Sequence, residues 1–391
     1  MQNKSSKDNG AVSVPKVVTA DSVQAEEVPT IPLGSLQTIN TLQPEVSIHA
    51  VNSTPATNLP APLVVQPSEY RRSLSEWVHV WWEGIRPAYL LLSLLPVVIG
   101  STLAWTQTIS PGMPFGHFHI LHFIGTLTVI VLLQTGANLV NDYYDYMKGI
   151  DTSNQLGPGG LIQQGFIKPA QVLLTGLSAL GLGTLFGAII AFSGGPLVYL
   201  FGLAGLFCAY FYSASSRSLS ALSLGELVCF VIFGPLITLG AYMVQTGHID
   251  RIVLIYSIPL GLLAMTTILL NDMRDVEDDT QAGKYTLASL LGLGWSRILC
   301  LVLLLAPYTI IVALGIPHGA PHLILITLWT APTLIVLISG ILCTDAPAGL
   351  HLAVRQAIAL ETYFALLLAV ALIVSALLPA LPHLPSLVLP F

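Results

Sequence analysis

Nine stretches of this chain stay apolar for about the length that a helix needs to cross a bilayer, which takes ~20 residues. They run roughly over 88–106, 119–140, 171–192, 196–213, 222–244, 252–270, 296–316, 321–343 and 357–378. Gly, Pro, Asn and Asp punctuate the intervals, as expected of helix ends, and only "SGGP" (Ser193 to Pro196) separates the third run from the fourth. Of 391 residues, 54% are hydrophobic and 9% charged, where a soluble domain carries about a quarter charged residues. Mean hydropathy is +0.77. The expected fold is therefore all-α: a polytopic membrane protein built as a bundle of nine transmembrane helices.

Residues 1–70 differ from the rest, being rich in Ser, Thr, Pro, Val, Asn and Gln with no long apolar run. Too few clustered apolar residues are present to offset ordering entropy, and the basic start and apolar core of a signal peptide are missing. The expected organisation is a disordered cytoplasmic tail over 1–70 and a membrane domain over 71–391. Cys208, Cys229, Cys300 and Cys343 lie in apolar segments at wide spacing, without a metal-ligand pair. The net charge of −6 reflects the tail and Asp-rich loops, and no nucleic-acid partner is expected.

Lysine and arginine are retained on the cytoplasmic side of membrane proteins. With the amino terminus inside, all 14 lysines and arginines except Arg251 fall on that side. The second and sixth runs then both end on the cytoplasm, and their ends carry "NDYYDYMKGID" and "NDMRDVEDDTQAGK". In the first, Asn138 and Asp142, and Asn141 and Asp145, are four apart; in the second, Asp272 precedes Asp275 by three and Asp275 precedes Asp279 by four. On a helix these spacings gather side chains on one face. Like charges so placed repel, and burying them is costly unless they are paired. A divalent cation is one remedy. Mg²⁺ takes oxygen ligands and typically binds through one or two carboxylates plus substrate phosphates, so two facing clusters suggest a diphosphate held between them, with Lys284, Arg274, Arg217 and Arg86 on the same side.

Both clusters resemble the paired Asp-rich motifs of the UbiA superfamily of intramembrane prenyltransferases, which also has nine transmembrane helices. "WEGIRPAYLLLSLLPVVIGS" (Trp82 to Ser101), "GPGGLIQQGFI" (Gly157 to Ile167) and "YSASSRSLSALSLGELVCFVIFGPLITLGAYMVQTG" (Tyr212 to Gly247) further look like its 1,4-dihydroxy-2-naphthoate polyprenyltransferase branch, of menaquinone biosynthesis. The likeness runs from about residue 80 to 378. It implies Mg²⁺ as cofactor, and a polyprenyl diphosphate and an aromatic acceptor as partners, at the cell membrane. Asn141, Asp145, Asp275 and Asp279 match the residues that hold the metal and the diphosphate; Asp142 joins the three aspartates of that set in catalysis, and Asp272 lies beside them. Arg86, Arg217 and Lys284 match basic positions around the diphosphate, and Asn138, Tyr212 and Arg274 complete the implied substrate-binding set. Gly149 stands where many members have an Asp, with Asp151 as the implied substitute, and an Arg often found near "GPGG" is missing.

The implied reaction is electrophilic aromatic substitution. Metal and basic residues neutralise the leaving diphosphate, and the electron-rich ring attacks the cation-like allylic carbon and loses its carboxylate as CO₂. An apolar passage open sideways to lipid would hold the polyprenyl tail and keep water out. Trp81, Trp82, Tyr143, Tyr144 and Tyr146 read either as cation–π partners or as interfacial anchors, the second being the commoner role. Glu226 and Glu361 fall inside spans, where carboxylates default to function, although Glu226 also suits a cap at "SLGE". His318, His322, His351 and His383 are scattered, not at ligand spacing. Two rivals remain: an ion-coupled transporter, and a prenyltransferase acting on homogentisate, 4-hydroxybenzoate, haem or a lipid.

Overall fold

The computed structural model describes residues 73–108, 116, 118–150, 159–215, 218–316 and 321–378. The expected tail over 1–70 lies outside the described residues, as do Asp151, Arg217, His318 and His383. Among the described residues every regular element is a helix, apart from an isolated bridge between Leu222 and Tyr285.

The first, α1 (Leu74–Ile85), was not foreseen. Ser73 starts it with a reciprocal cap: its Oγ accepts the Glu76 N–H at 3.3 Å, while the Ser73 N–H donates to Glu76 Oε2 at 2.6 Å. Val80 and Gly84 face inward, and Leu74, Trp77, Val78 and Trp82 are exposed, the pattern of a helix lying in the membrane interface. Pro87 begins α2 (Pro87–Thr108). Proline suits a first helical position but bars the right-handed helical conformation to the residue before it. Arg86 accordingly leaves the helix, with φ 58 and ψ 63.

The bundle continues with α3 (Ile120–Lys148), α4 (Pro169–Gly194), α5 (Pro196–Phe211), α6 (Gly225–Val231), α7 (Ile237–Thr246), α8 (Arg251–Arg274), α9 (Val276–Gln281), α10 (Leu287–Gly315), α11 (Ala331–Cys343) and α12 (Pro347–Leu377). A π-turn over Ile232–Leu236 joins α6 to α7 around Pro235. Proline lacks the N–H and crowds the preceding turn, and a widened turn absorbs both faults. A 3₁₀ segment, His322–Thr330, leads into α11.

Eight of these elements are long and apolar enough to cross a membrane, counting Gly225–Thr246 and His322–Cys343 as one each. The protein is a multi-pass membrane protein. The expected fourth span is α5, a shorter apolar helix of 16 residues, about 24 Å long against a hydrocarbon core of about 30 Å. It begins at Pro196, where it was expected to, and ends at Phe211, before the loop that carries Ser213.

The main core joins α2, α7, α8, α10 and α12. Lipid offers no hydrophobic drive for helices to associate, so small residues let backbones approach. A Cβ on Gly261 of α8 would lie 2.6 Å from the Phe230 carbonyl oxygen of α6, and one on Gly100 of α2 would lie 2.3 Å from that of Thr238 in α7. Replacing Gly261 with Leu should destabilise the bundle by about 1–3 kcal/mol, the usual cost of overpacking, read as a lower detergent-phase Tm. Gly294→Ala, where the added methyl meets nothing within 4 Å, should match or slightly exceed the parent. Equal melting of Gly261→Leu and the parent would refute the close-approach account.

Candidate active site

Both acidic clusters are built by helices that outrun their apolar stretches. The helix α3 continues through Asn138, Asn141, Asp142 and Asp145 to Lys148, where Gly149 closes it in the left-handed region at φ 70. Its N–H caps the Asp145 and Tyr146 carbonyls. The residue at which the resemblance implies an Asp is thus a helix-ending glycine. In the second cluster α8 stops at Arg274, Asp275 bends the chain at φ −98 and ψ 8, and α9 carries Asp279.

Arg86 is held against the first cluster. Its Nη2 donates to Asp142 Oδ1, with Asp142 almost wholly buried. The Asn138 Nδ2 donates to the Ile85 carbonyl at 2.8 Å and so fastens the α1–α2 junction to α3. One turn on, the Tyr89 hydroxyl donates to Asn271 Oδ1 of α8 at 2.9 Å. Burial alone would lower the Arg86 pKa, yet Asp142, backed by Tyr89 and Asp145, carries it above the ordinary arginine value. Gly159, at φ 102, closes over the pair: a Cβ there would lie 2.6 Å from both Arg86 Nη2 and Asp142 Oδ1. This turn is the described part of the "GPGG" loop.

Asn141 Nδ2 donates to Asp145 Oδ2 at 2.7 Å and to Ser213 Oγ at 2.8 Å. Arg274 grips Asp275 with two bonds, Nε to Oδ1 at 2.6 Å and Nη2 to Oδ2 at 2.5 Å, and its Nη2 also donates to Asn271 Oδ1 at 2.9 Å. Lys284 Nζ donates to Asp279 Oδ1 at 3.2 Å. Burial lifts the Asp279 carboxyl to about 6 against the pull of Lys284. Burial likewise holds the Tyr212 phenol well above the ordinary tyrosine value.

These groups open on one cavity of about 850 Å³. Arg86, Asp142, Asp145, Arg274, Asp275 and Lys284 line one end, with Asn138, Asn141, Asp272 and Tyr212. The cavity then runs between α3, α4, α5 and α7, past Val129, Ile130 and Leu133, to Ile190 and Val244. Asp279 is not among the lining residues; it stands behind Lys284, within electrostatic reach of Asp145. Among the described residues no three carboxylate, imidazole or thiol groups form a metal cage of their own. That donor set suits Mg²⁺, which is completed by water and phosphate oxygens.

The sequence profile of the UbiA prenyltransferase family matches residues 93–348. The chain belongs to this family. It is similar to the 1,4-dihydroxy-2-naphthoate octaprenyltransferase of Bacillus subtilis (strain 168), with 28% identity over 76% of this chain and 93% of that one. Its Haemophilus influenzae namesake is 34% identical over 60% and 76%, and the mouse (Mus musculus) UbiA prenyltransferase domain-containing protein 1 is 32% identical over 59% and 67%. The fold matches a UbiA homolog from Archaeoglobus fulgidus bound to GPP and Mg²⁺, with TM-score 0.52, 15% identity and coverage of 74% and 99%. A digeranylgeranylglyceryl phosphate synthase gives 0.53, 18%, 76% and 99%.

Other residues of this UbiA prenyltransferase fall into place around the cavity. Trp81, Trp82, Tyr143, Tyr144 and Tyr146 do not line it. Trp81 and Tyr143 pack against the small cluster under α1, and Trp82 and Tyr146 are exposed. The aromatic lining comes instead from Tyr89, missed within its apolar run, and from Tyr199, Phe201, Tyr212 and Phe233. Glu226 is no cap: it lies buried in the first turn of α6, and neither carboxyl oxygen has a hydrogen-bond partner among the described residues. Glu361 is buried in α12 with no hydrogen-bond partner among the described residues. His351 lies 3.3 Å from Arg274 Nη1, and His322 Nδ1 lies 2.6 Å from the Gly315 carbonyl. Removing one partner of a buried ion pair typically costs about 3–5 kcal/mol. Arg86→Ala should therefore melt well below the parent in detergent, and Arg86→Ala with Asp142→Asn should regain part of the loss. An additive double variant would mean that the pair carries no coupling.

Proposed function

We propose that this enzyme transfers a polyprenyl chain from its diphosphate to 1,4-dihydroxy-2-naphthoate, releasing diphosphate and CO₂ and giving demethylmenaquinol. The observation that carries the reading is the single cavity, charged at one end by both acidic clusters and apolar along the rest of its length. It suits a donor with a polyanionic head and a hydrocarbon tail. The acceptor assignment rests on the octaprenyltransferases of B. subtilis and H. influenzae and on the sequence likeness. The cytoplasm is the face on which we place the charged end, from the distribution of Lys and Arg.

Asn141, Asp145, Asp275 and Asp279 are the proposed ligands of Mg²⁺, an ion bound by the A. fulgidus homolog together with GPP. When bound, the metal neutralises charge on the departing diphosphate. Arg86, Arg274 and Lys284, with Arg217, orient the diphosphate and add to that neutralisation. Asn138 holds the α1–α2 junction that presents Arg86, and Tyr212 forms part of the wall beside the reacting carbon. Asp142 keeps Arg86 in place. As the allylic C–O bond breaks, a C–C bond forms at the ring carbon bearing the carboxylate; that group leaves as CO₂ and its bonding pair restores the aromatic ring. Apolar walls exclude water that would otherwise trap the allylic cation.

With the carboxylate carbon labelled, CO₂ should appear in step with diphosphate release. Product that keeps the label, or preferential turnover of homogentisate or 4-hydroxybenzoate, would reject this acceptor and leave prenyl transfer standing. Asp145→Ala and Asp275→Ala should each lose nearly all turnover while still folding; near-normal rates in either at low Mg²⁺ would sink the two-cluster site. An Asp279 carboxyl near 6 is increasingly protonated as pH falls, and a protonated carboxyl is a poor metal ligand. The apparent affinity for Mg²⁺ should therefore weaken between about pH 7.5 and about pH 5.5, and a flat titration would remove Asp279 from the ligand set.

A further inference from the structure

One polar contact at the charged end comes from a helix that takes no part in the cavity. No described residue of α12 lines it, yet His351 of α12 lies with Nδ1 3.3 Å from Arg274 Nη1. Arginine has no acceptor, so Nη1 donates and the imidazole carries its proton on Nε2. The histidine stands on a firm mount. Leu350 and Val354 pack α12 into the main core, and a Cβ on Gly349 would lie 2.4 Å from Thr344 Oγ1. Arg297 of α10 donates to the Ile341 carbonyl at 2.9 Å and to that of Thr344 at 2.7 Å, which fastens the turn before α12.

The two ends of the Arg274 guanidinium therefore have different partners. Asp275 takes the Nε–Nη2 edge, at 2.6 and 2.5 Å, and His351 takes the Nη1 end. Asn271 Oδ1 also accepts from Nη2, at 2.9 Å, and is itself held by the Tyr89 hydroxyl. A guanidinium edge presents two parallel N–H groups, which suit a carboxylate or a phosphate alike. A metal that takes Asp275 vacates this edge, whereas the contacts to His351 and Asn271 do not involve Asp275 and survive the exchange. We propose that His351 is a positioning residue. It pins the far end of Arg274, so that the vacated edge stays in the cavity wall and passes from Asp275 to the diphosphate without swinging away. This inference rests on the prenyl-transfer reading, with Asp275 as a metal ligand. Without the pin, binding of diphosphate must first order a long side chain, and that cost lowers affinity.

Calorimetric titration of the full chain in detergent with inorganic diphosphate and Mg²⁺ reads the pin without acceptor or turnover. His351→Leu removes the hydrogen-bond acceptor and should weaken diphosphate binding about tenfold. His351→Asn puts a carbonyl oxygen near the place of Nδ1 and should stay within about twofold of the parent. On an Arg274→Ala background, His351→Leu should have no further effect, because a pin without its arginine holds nothing. In turnover, His351→Leu should raise the KM of the prenyl diphosphate by a similar factor and lower kcat by no more than about twofold, since bound diphosphate holds the edge itself. An equal loss in His351→Leu and His351→Asn, or the same His351→Leu effect with and without Arg274, would mark a merely structural histidine and overturn the proposal. Parent-like affinity in His351→Leu would do the same. Each of these results leaves prenyl transfer standing, whereas a parent that binds no diphosphate would overturn both.

Discussion

Taking the Asp142 carboxylate out of water inside α3 is tolerable because the Arg86 guanidinium meets it, and much of the charged end depends on that contact. Arg86 reaches it only because Pro87 forces a break between α1 and α2 and leaves Arg86 in a left-handed conformation. Such a backbone costs of order 1–3 kcal/mol for a residue other than glycine and persists where its surroundings over-determine it. Here they do: Asn138 binds the Ile85 carbonyl on one side, and Gly159 leaves no room for retreat on the other. With Tyr89 on Asn271, a single turn of chain sets the spacing between α3 and α8.

That spacing explains why the acids sit at helix ends and not in mid-membrane. At the ends they are held by neighbouring basic groups and by a loop, while the hydrocarbon depth of the bundle remains free for an apolar chamber. Small residues serve the two regions differently. Gly100 and Gly261 bring backbones together in the core, whereas Gly202 leaves space in the chamber wall.

Much of this organisation was legible in the sequence. The repeated Asn-Asp at the ends of the second and sixth apolar runs located both clusters, because run parity placed them on one side. The family likeness pointed to the same residues. What stayed hidden depended on contacts between distant segments. Tyr89 reads as one more aromatic in an apolar run until its hydroxyl is seen against Asn271. The interfacial helix α1 is too short for a membrane-length window, although its Ser73–Glu76 cap was there to be read. Arg274 was expected to face the diphosphate, and nothing in its spacing showed that both oxygens of the adjacent Asp275 would be taken up by it. The fourth span, marked only by its composition, proved short because its helix stops at Phe211.

The Arg274–Asp275 clasp has a consequence for how such a pocket fills. A cation reaching Asp275 must prise off the guanidinium, and a guanidinium so released is available to an incoming polyanion. Each arrival removes the penalty that the other would have met alone. By thermodynamic linkage the assistance is mutual and equal in both directions. With Arg274 and Asp275 engaged on each other, each is weakly attractive to an incoming ion by itself. If Asp275 is a metal ligand as proposed, occupancy would be a concerted event, in which metal and diphosphate are recruited as a pair.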